Sequence, residues 1–167
     1  MNLSDDQIKE VNGTARNSSR FVEQAVIPKL VEEMAKPDWR ILDYGSGPKA
    51  LHVHRLRDLG FNVTAHDFGN NITTEHDPEA LTRTYDLVYA SNVINVQISH
   101  EMLRSTLVEI STLLDLGGVF LFNLPKEPQK IDFDIQDLVL TLSEIFGDNI
   151  DYRKRNSSWI FTIKKGT

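Results

Sequence analysis

Trp39-Arg40-Ile41-Leu42-Asp43-Tyr44-Gly45-Ser46-Gly47-Pro48 sets a short apolar run, an acid and two glycines in direct succession. The run Trp39–Asp43 reads as a buried strand. The glycines after it permit a tight turn, and Pro48 is a favoured first residue of a helix. In open α/β sheets, ligands bind outside the carboxyl ends of the strands, where such turns bring backbone N–H groups close to the ligand. Taken alone, Gly45-Ser46-Gly47-Pro48-Lys49-Ala50 also fits a dinucleotide fingerprint with alanine for its third glycine, so the surrounding chain must decide.

Working outward, Leu51, Leu56 and Leu59 mark a helix that stops at Gly60, and residues 61–66 form a second strand ending on Asp67. Tyr85–Ala90 is another strand, and Ile72 sits in a weaker candidate. Ser99 caps a helix with Met102, Leu103, Leu107, Ile110, Leu113 and Leu114 on one face, ending at Gly117-Gly118. Val119–Phe122 is a buried strand. A helix with Leu138, Val139, Leu142, Ile145 and Phe146 follows, then strands 150–155 and 159–164 that read as a hairpin. Upstream, Ser4 and Gln7 have the spacing of a capping box, and a second helix from Ser18 or Ser19 towards Lys36 is expected to kink or break at Pro28. Residues 125–133 read as a surface loop at the rim of the site. Strands alternating with helices predict an α/β fold. It is expected as one doubly wound, mostly parallel seven-stranded sheet with helices on both faces and a C-terminal antiparallel β-hairpin.

The 167 residues suit one domain over 1–167, with residues 1–36 as a helical lid or cover. Without cysteine the chain has no disulfide, thiolate nucleophile or cysteine zinc site. No apolar run is long enough to span a bilayer, and the polar, acidic start differs from a signal peptide, so a cytoplasmic protein without membrane contact is expected. A net charge of −6 argues against long-range steering to nucleic acid. Arg153-Lys154-Arg155 and Lys164-Lys165 read as a charged edge protecting the terminal hairpin, with a phosphate-binding patch as the alternative. His52, His54, His66, His76 and His100 lack metal-ligand spacing, so no metal is expected.

The residues quoted above resemble the class I S-adenosylmethionine (SAM)-dependent methyltransferases. Arg40–Gly47 is similar to that family's first motif: hydrophobic strand, acid, any residue, glycine, any residue, glycine. The resemblance implies SAM as cofactor, with Asp43, Gly45, Ser46 and Gly47 forming its loop. Asp67, 22 residues beyond Gly45, resembles the family's acid that accepts both ribose hydroxyls, with Phe68 beside it. Asp77, in His76–Leu81, resembles the acid that meets the adenine amino group. Ser91, Asn92 and Val93, after the strand Tyr85–Ala90, would flank the methionine part. Lys49 departs from the family, which often has a third glycine there.

Methyl transfer from a sulfonium chiefly requires a nucleophile held at attack distance in a water-poor pocket, and a strong general base is not essential. The catalytic residue is therefore unreadable from sequence. Asn95, Gln97 and Asn123 follow the fourth and fifth family strands and are candidates to orient an amine or hydroxyl. Arg16 and Arg20, four apart, are candidates to meet a carboxylate. The expected activity is methyl transfer to a small molecule or a protein side chain. Transfer to nucleic acid, or a non-catalytic SAM- or nucleotide-binding module, are the alternatives. The DNA amino-methyltransferase signature after the fourth strand, Asn/Asp-Pro-Pro-aromatic, is missing.

Overall fold

The computed structural model describes residues 4–15 and 25–166, with side chains for 4–10 and 25–166. Helices α1 (Asp5–Ala15) and α2 (Val26–Met34) precede strand β1 (Arg40–Tyr44). Then come α3 (Leu51–Asp58), β2 (Asn62–His66), β3 (Tyr85–Ala90), α4 (His100–Thr112), β4 (Leu114–Leu124), α5 (Ile135–Phe146), β5 (Ile150–Arg155) and β6 (Ser158–Lys164). The sheet has six strands in the order β2-β1-β3-β4-β6-β5. The first four are parallel, while β6 runs antiparallel to both β4 and β5.

Among the described residues the sheet has six strands, where seven were expected. The seventh had only the weak candidate around Ile72, and residues 67–84 instead form two short 3₁₀ turns, Gly69–Asn71 and Ala80–Thr82. Ile72 is 57% exposed, so nothing apolar anchors a strand there. A strand plus a returning crossover needs more chain than this interval supplies. β2 is consequently an edge strand. Its outward carbonyls are occupied: Val63 accepts from Arg57 Nε at 2.8 Å and Ala65 from the Asp77 N–H at 3.1 Å, which leaves little to template pairing with another chain.

Alternating residues of the central strands feed two cores, as a sheet covered on both faces requires. Leu42, Tyr44, Val88, Phe120 and Phe122 meet Leu103, Leu107, Leu138, Leu142 and Phe146 on the α4/α5 face. Ile41, Val63, Leu87, Tyr89 and Leu121 meet Ile27, Val31, Val53 and Leu56 on the α2/α3 face. The expected helices on both faces are present.

The Ser4/Gln7 capping box forms, with Gln7 N–H donating to Ser4 Oγ at 3.2 Å and Ser4 N–H to Gln7 Oε1 at 3.0 Å. Within the described residues the second helix begins at Val26, so Pro28 lies in its first turn, where no intrahelical donor is missed and no kink is needed. Pro48 does not begin α3. That helix starts at Leu51 behind Ala50, whose φ of 46° turns the chain first. Gly117-Gly118 falls inside β4, which starts at Leu114.

Members of both basic clusters are engaged within the protein. Arg153 pairs with Asp151 at 2.7 Å, and Lys154 lies 5.5 Å from the Trp159 ring centre. Lys165 turns inward and donates to the carbonyls of Ser111 at 2.7 Å and Leu114 at 3.0 Å, groups left open where α4 ends. Lys165→Met should therefore lower the unfolding free energy by about 1–2 kcal/mol, as expected for charged hydrogen bonds to buried carbonyls. Urea denaturation measures it, and a Lys164→Met control, at an exposed neighbour, should change little.

Candidate functional site

The carboxyl ends of β1, β2, β3 and β4 lie side by side, and the motif residues follow from that register. Gly45 and Gly47 have φ of 90° and 78°, a region open to glycine and costly for other residues. Gly45 is also required for space, because a Cβ there would stand 2.6 Å from Val93 Cγ2. The turn after β3 thus presses directly on the glycine loop. The N–H groups of Gly45 and Ser46 both donate to the His66 carbonyl at 2.9 Å, and the Gly47 N–H donates to Asp67 Oδ2 at 2.6 Å. All three loop donors are satisfied by the end of β2.

Asp67 is buried, and its second oxygen accepts the Phe68 N–H at 2.7 Å. Burial raises its pKa, against which the Phe68 and Gly47 N–H groups and the Asn71 side chain favour the ionised form. Phe68 packs edge-on to His66 at 4.7 Å and Tyr44 at 5.4 Å, beside the acid. Asp77 is held near the same strand end through its N–H bond to Ala65. Its carboxylate pairs with the Arg83 guanidinium and takes the Glu79 N–H at 2.8 Å, which together lower its pKa.

Asp43 is 1% exposed at the end of β1 and accepts the Tyr89 hydroxyl at 2.8 Å from the neighbouring strand. Desolvation dominates and raises its pKa to about 8. The Tyr89 hydrogen bond opposes the rise and the charge of Asp67 adds to it.

On the other side of the mouth, Asn92 (φ 58°) and Asn123 form a reciprocal pair. The Asn92 N–H donates to Asn123 Oδ1 at 2.8 Å, and Asn123 Nδ2 donates to Asn92 Oδ1 at 2.7 Å. This pair ties the turn after β3, including Ser91 and Val93, to the end of β4. Asn95 belongs to the 3₁₀ turn Ile94–Val96 and carries a buried Oδ1 with no partner. Gln97 departs from the expected position. It is 2% exposed, donates to the Val93 carbonyl at 3.0 Å and accepts from Thr106 at 3.3 Å, so it braces the turn from behind instead of facing the mouth. Arg16 and Arg20 lie outside the described residues.

Helix α1 packs against both the Gly69–Asn71 and Ile94–Val96 turns, one on each side of the mouth, and Glu10 pairs with Lys130 of the 125–133 loop at 3.3 Å. Sequence reasoning missed Tyr89, Thr73 and His76 as parts of this site. Tyr89 and His76 stand inside stretches that resemble family motifs, but the resemblance gives neither a role, and each of the three acquires its partners through pairing of distant segments. Among the described residues no cluster of His, Asp and Glu has the arrangement of a metal site, and no helix is long and apolar enough to cross a membrane.

The Asp43 environment gives a signed pH dependence. In the folded protein the carboxyl keeps its proton to about 8, whereas in the unfolded chain it ionises near 3.8. The folded state binds more protons between those values, so this group's contribution to stability falls as pH rises through that window. The gap in apo melting temperature between the wild type and the Asp43→Asn variant should therefore shift in favour of the variant as pH rises from about 5 to 8. Melting curves at several pH values test this. His52 and His66, both lowered to about 4 by burial, affect the two proteins alike and cancel in the difference.

No protein-family model matches the sequence, and no curated protein matches it. Solved structures do. A TehB-like SAM-dependent methyltransferase from Corynebacterium glutamicum superposes with a TM-score of 0.67 at 12% identity, over 94% of this chain and 98% of that one. Magnesium protoporphyrin IX methyltransferase from Synechocystis, with bound SAM, gives 0.62 at 14% identity over 96% and 90%. A putative methyltransferase in complex with the Haloferax volcanii Trm112 activator gives 0.65 at 10% over 96% and 98%. At such identities the likeness concerns the fold, and on it the protein has the fold of the class I SAM-dependent methyltransferases.

Proposed function

We propose that the protein is a SAM-dependent methyltransferase whose acceptor is a small molecule or a protein side chain. The observation that carries this reading is the state of the glycine loop. A loop that cradles phosphates needs unspent N–H groups at the start of the next helix. Here the Gly45, Ser46 and Gly47 N–H groups are consumed within the protein, and α3 starts only at Leu51. Beside the loop stand two buried carboxyls, Asp43 on β1 and Asp67 after β2. That suits a phosphate-free nucleoside cofactor better than a dinucleotide.

The residues fit SAM by their chemistry. Each Asp67 oxygen takes one backbone N–H, and a carboxylate with about four lone-pair sites retains acceptor capacity for ribose hydroxyls. Phe68 would flank the adenine and Asp77 its amino group. Asp43, Gly45, Ser46 and Gly47, with Ser91, Asn92 and Val93 opposite, would enclose the methionine part. The bound cofactor supplies a methyl group on a sulfonium that is already a good leaving group. The protein's task is then to orient the acceptor and exclude water. The unpartnered Asn95 Oδ1 is suited to accept from an amine or hydroxyl nucleophile, and Asn123 steadies the turn that carries it. Helix α1, with residues 1–36 as a whole, is proposed as the cover over the mouth. The engagement of Arg153 by Asp151, of Lys154 by Trp159 and of Lys165 by carbonyls favours a small-molecule or protein acceptor over nucleic acid.

Titration calorimetry should give micromolar binding of SAM and S-adenosylhomocysteine. No heat with either, together with clear binding of a nicotinamide dinucleotide, would replace this reading. Asp67→Ala should weaken S-adenosylhomocysteine by about 1–3 kcal/mol, the scale of lost hydrogen bonds to a charged acceptor. It should also lower the apo melting temperature, because two N–H groups lose their acceptor. Unchanged affinity in that variant would remove Asp67 from the cofactor site.

A further inference from the structure

Residues 67–84 do more than carry the chain from β2 to β3. His76, 8% exposed, sits beneath the glycine loop on this segment. Its Nδ1 accepts the Thr73 N–H at 3.0 Å, so the ring proton lies on Nε2. Nε2–H is shared between the Gly47 carbonyl at 2.9 Å and Ser46 Oγ at 3.0 Å, while the Ser46 hydroxyl donates onward to the His66 carbonyl at 3.2 Å. Thr73 Oγ1 donates to the Pro48 carbonyl at 3.0 Å. Gly47 is thereby held at both polar backbone atoms by two residues of one segment, its N–H by Asp67 and its carbonyl by His76.

We infer that His76 is a positioning residue that fixes the glycine loop in its cofactor-receiving shape, an inference that rests on the methyltransferase reading. Gly47, at φ 78°, has the backbone freedom to leave this conformation unless external bonds retain it. The following residues add one longer bond, from the Ala50 N–H to the Gly47 carbonyl at 3.2 Å, while Pro48 and Lys49 lie in a turn ahead of α3. Where a helix would start at once and fix the loop, this chain has that single turn bond and adds to it a shorter one, at 2.9 Å, from an imidazole of the next crossover. His76 precedes Asp77 in the stretch that resembles the family's adenine loop, yet its ring points to the glycine loop and serves a different part of the site.

Two partial isosteres separate the halves of the ring. His76→Gln places an amide nitrogen near the position of Nε2 and retains the bond to Gly47. His76→Asn places a carbonyl oxygen near Nδ1, retaining the Thr73 contact without reaching Gly47. Calorimetry with S-adenosylhomocysteine should give His76→Gln an affinity within about threefold of the wild type and His76→Asn a loss of about tenfold, the equivalent of one hydrogen bond. Amide hydrogen exchange of the apo proteins, which needs no cofactor, should show faster exchange at Gly47 in His76→Asn only. Equal affinities across all three proteins, or equal losses in both variants that track their melting temperatures, would overturn the clamp while leaving the methyltransferase reading in place. Failure of the wild type to bind S-adenosylhomocysteine would overturn both.

Discussion

The His66 carbonyl, at the end of β2, accepts the N–H groups of Gly45 and Ser46 and the Ser46 hydroxyl, and the next residue, Asp67, accepts the N–H of Gly47. This interlock of two adjacent strand ends is the constraint on which the site depends. It requires positive φ at Gly45 and Gly47, so residues with a Cβ are disfavoured there, and it requires β1 and β2 to be parallel and in register so that the two ends coincide. Because the bonds lie within the protein, the loop is shaped before any ligand arrives, and the cost of ordering it is met by folding.

The short crossover follows from the same economy. Residues 67–84 contain neither a strand nor an α-helix, and their backbone is satisfied by 3₁₀ turns, by Asp77 and by the β2 edge. A helix in this interval would have covered the Tyr44–His66–Phe68 cluster. Without one, the His66 and Phe68 rings stay only half-buried over Tyr44, whose hydroxyl reaches across to Glu109 of α4 at 3.2 Å. The irregular segment also brings His76 under the loop, a position that a regular helix would have had to offer by chance.

Electrostatically the site is built around buried acids. Asp43 and Asp67 are both buried, desolvation raises the pKa of each, and Tyr89 supplies the hydrogen bond that partly offsets the burial of Asp43. The opposite wall is neutral, built from the Asn92–Asn123 pair and braced by Gln97.

Local patterns determined the class of fold. The alternation of apolar strands with amphipathic helices, the Ser99 and Ser4 caps and the acid-glycine run after β1 are all encoded within a few residues, where spacing reads directly as geometry. The six-stranded count, the displaced start of α3 and the roles of individual side chains were not local properties. Gln97 looked like a mouth residue because it follows a strand, yet its burial depends on Thr106 of α4 closing over it. Lys165 looked like part of a basic surface until the carbonyls at the end of α4 took its ammonium. Nothing in the sequence marked His76 for its position, since its partners lie some thirty residues away and meet it only when β2 docks beside β1. Backbone preferences and hydrophobic period are short-range and survive in the sequence, whereas hydrogen-bond partners across strand ends exist only once parallel pairing has closed the long loops between them.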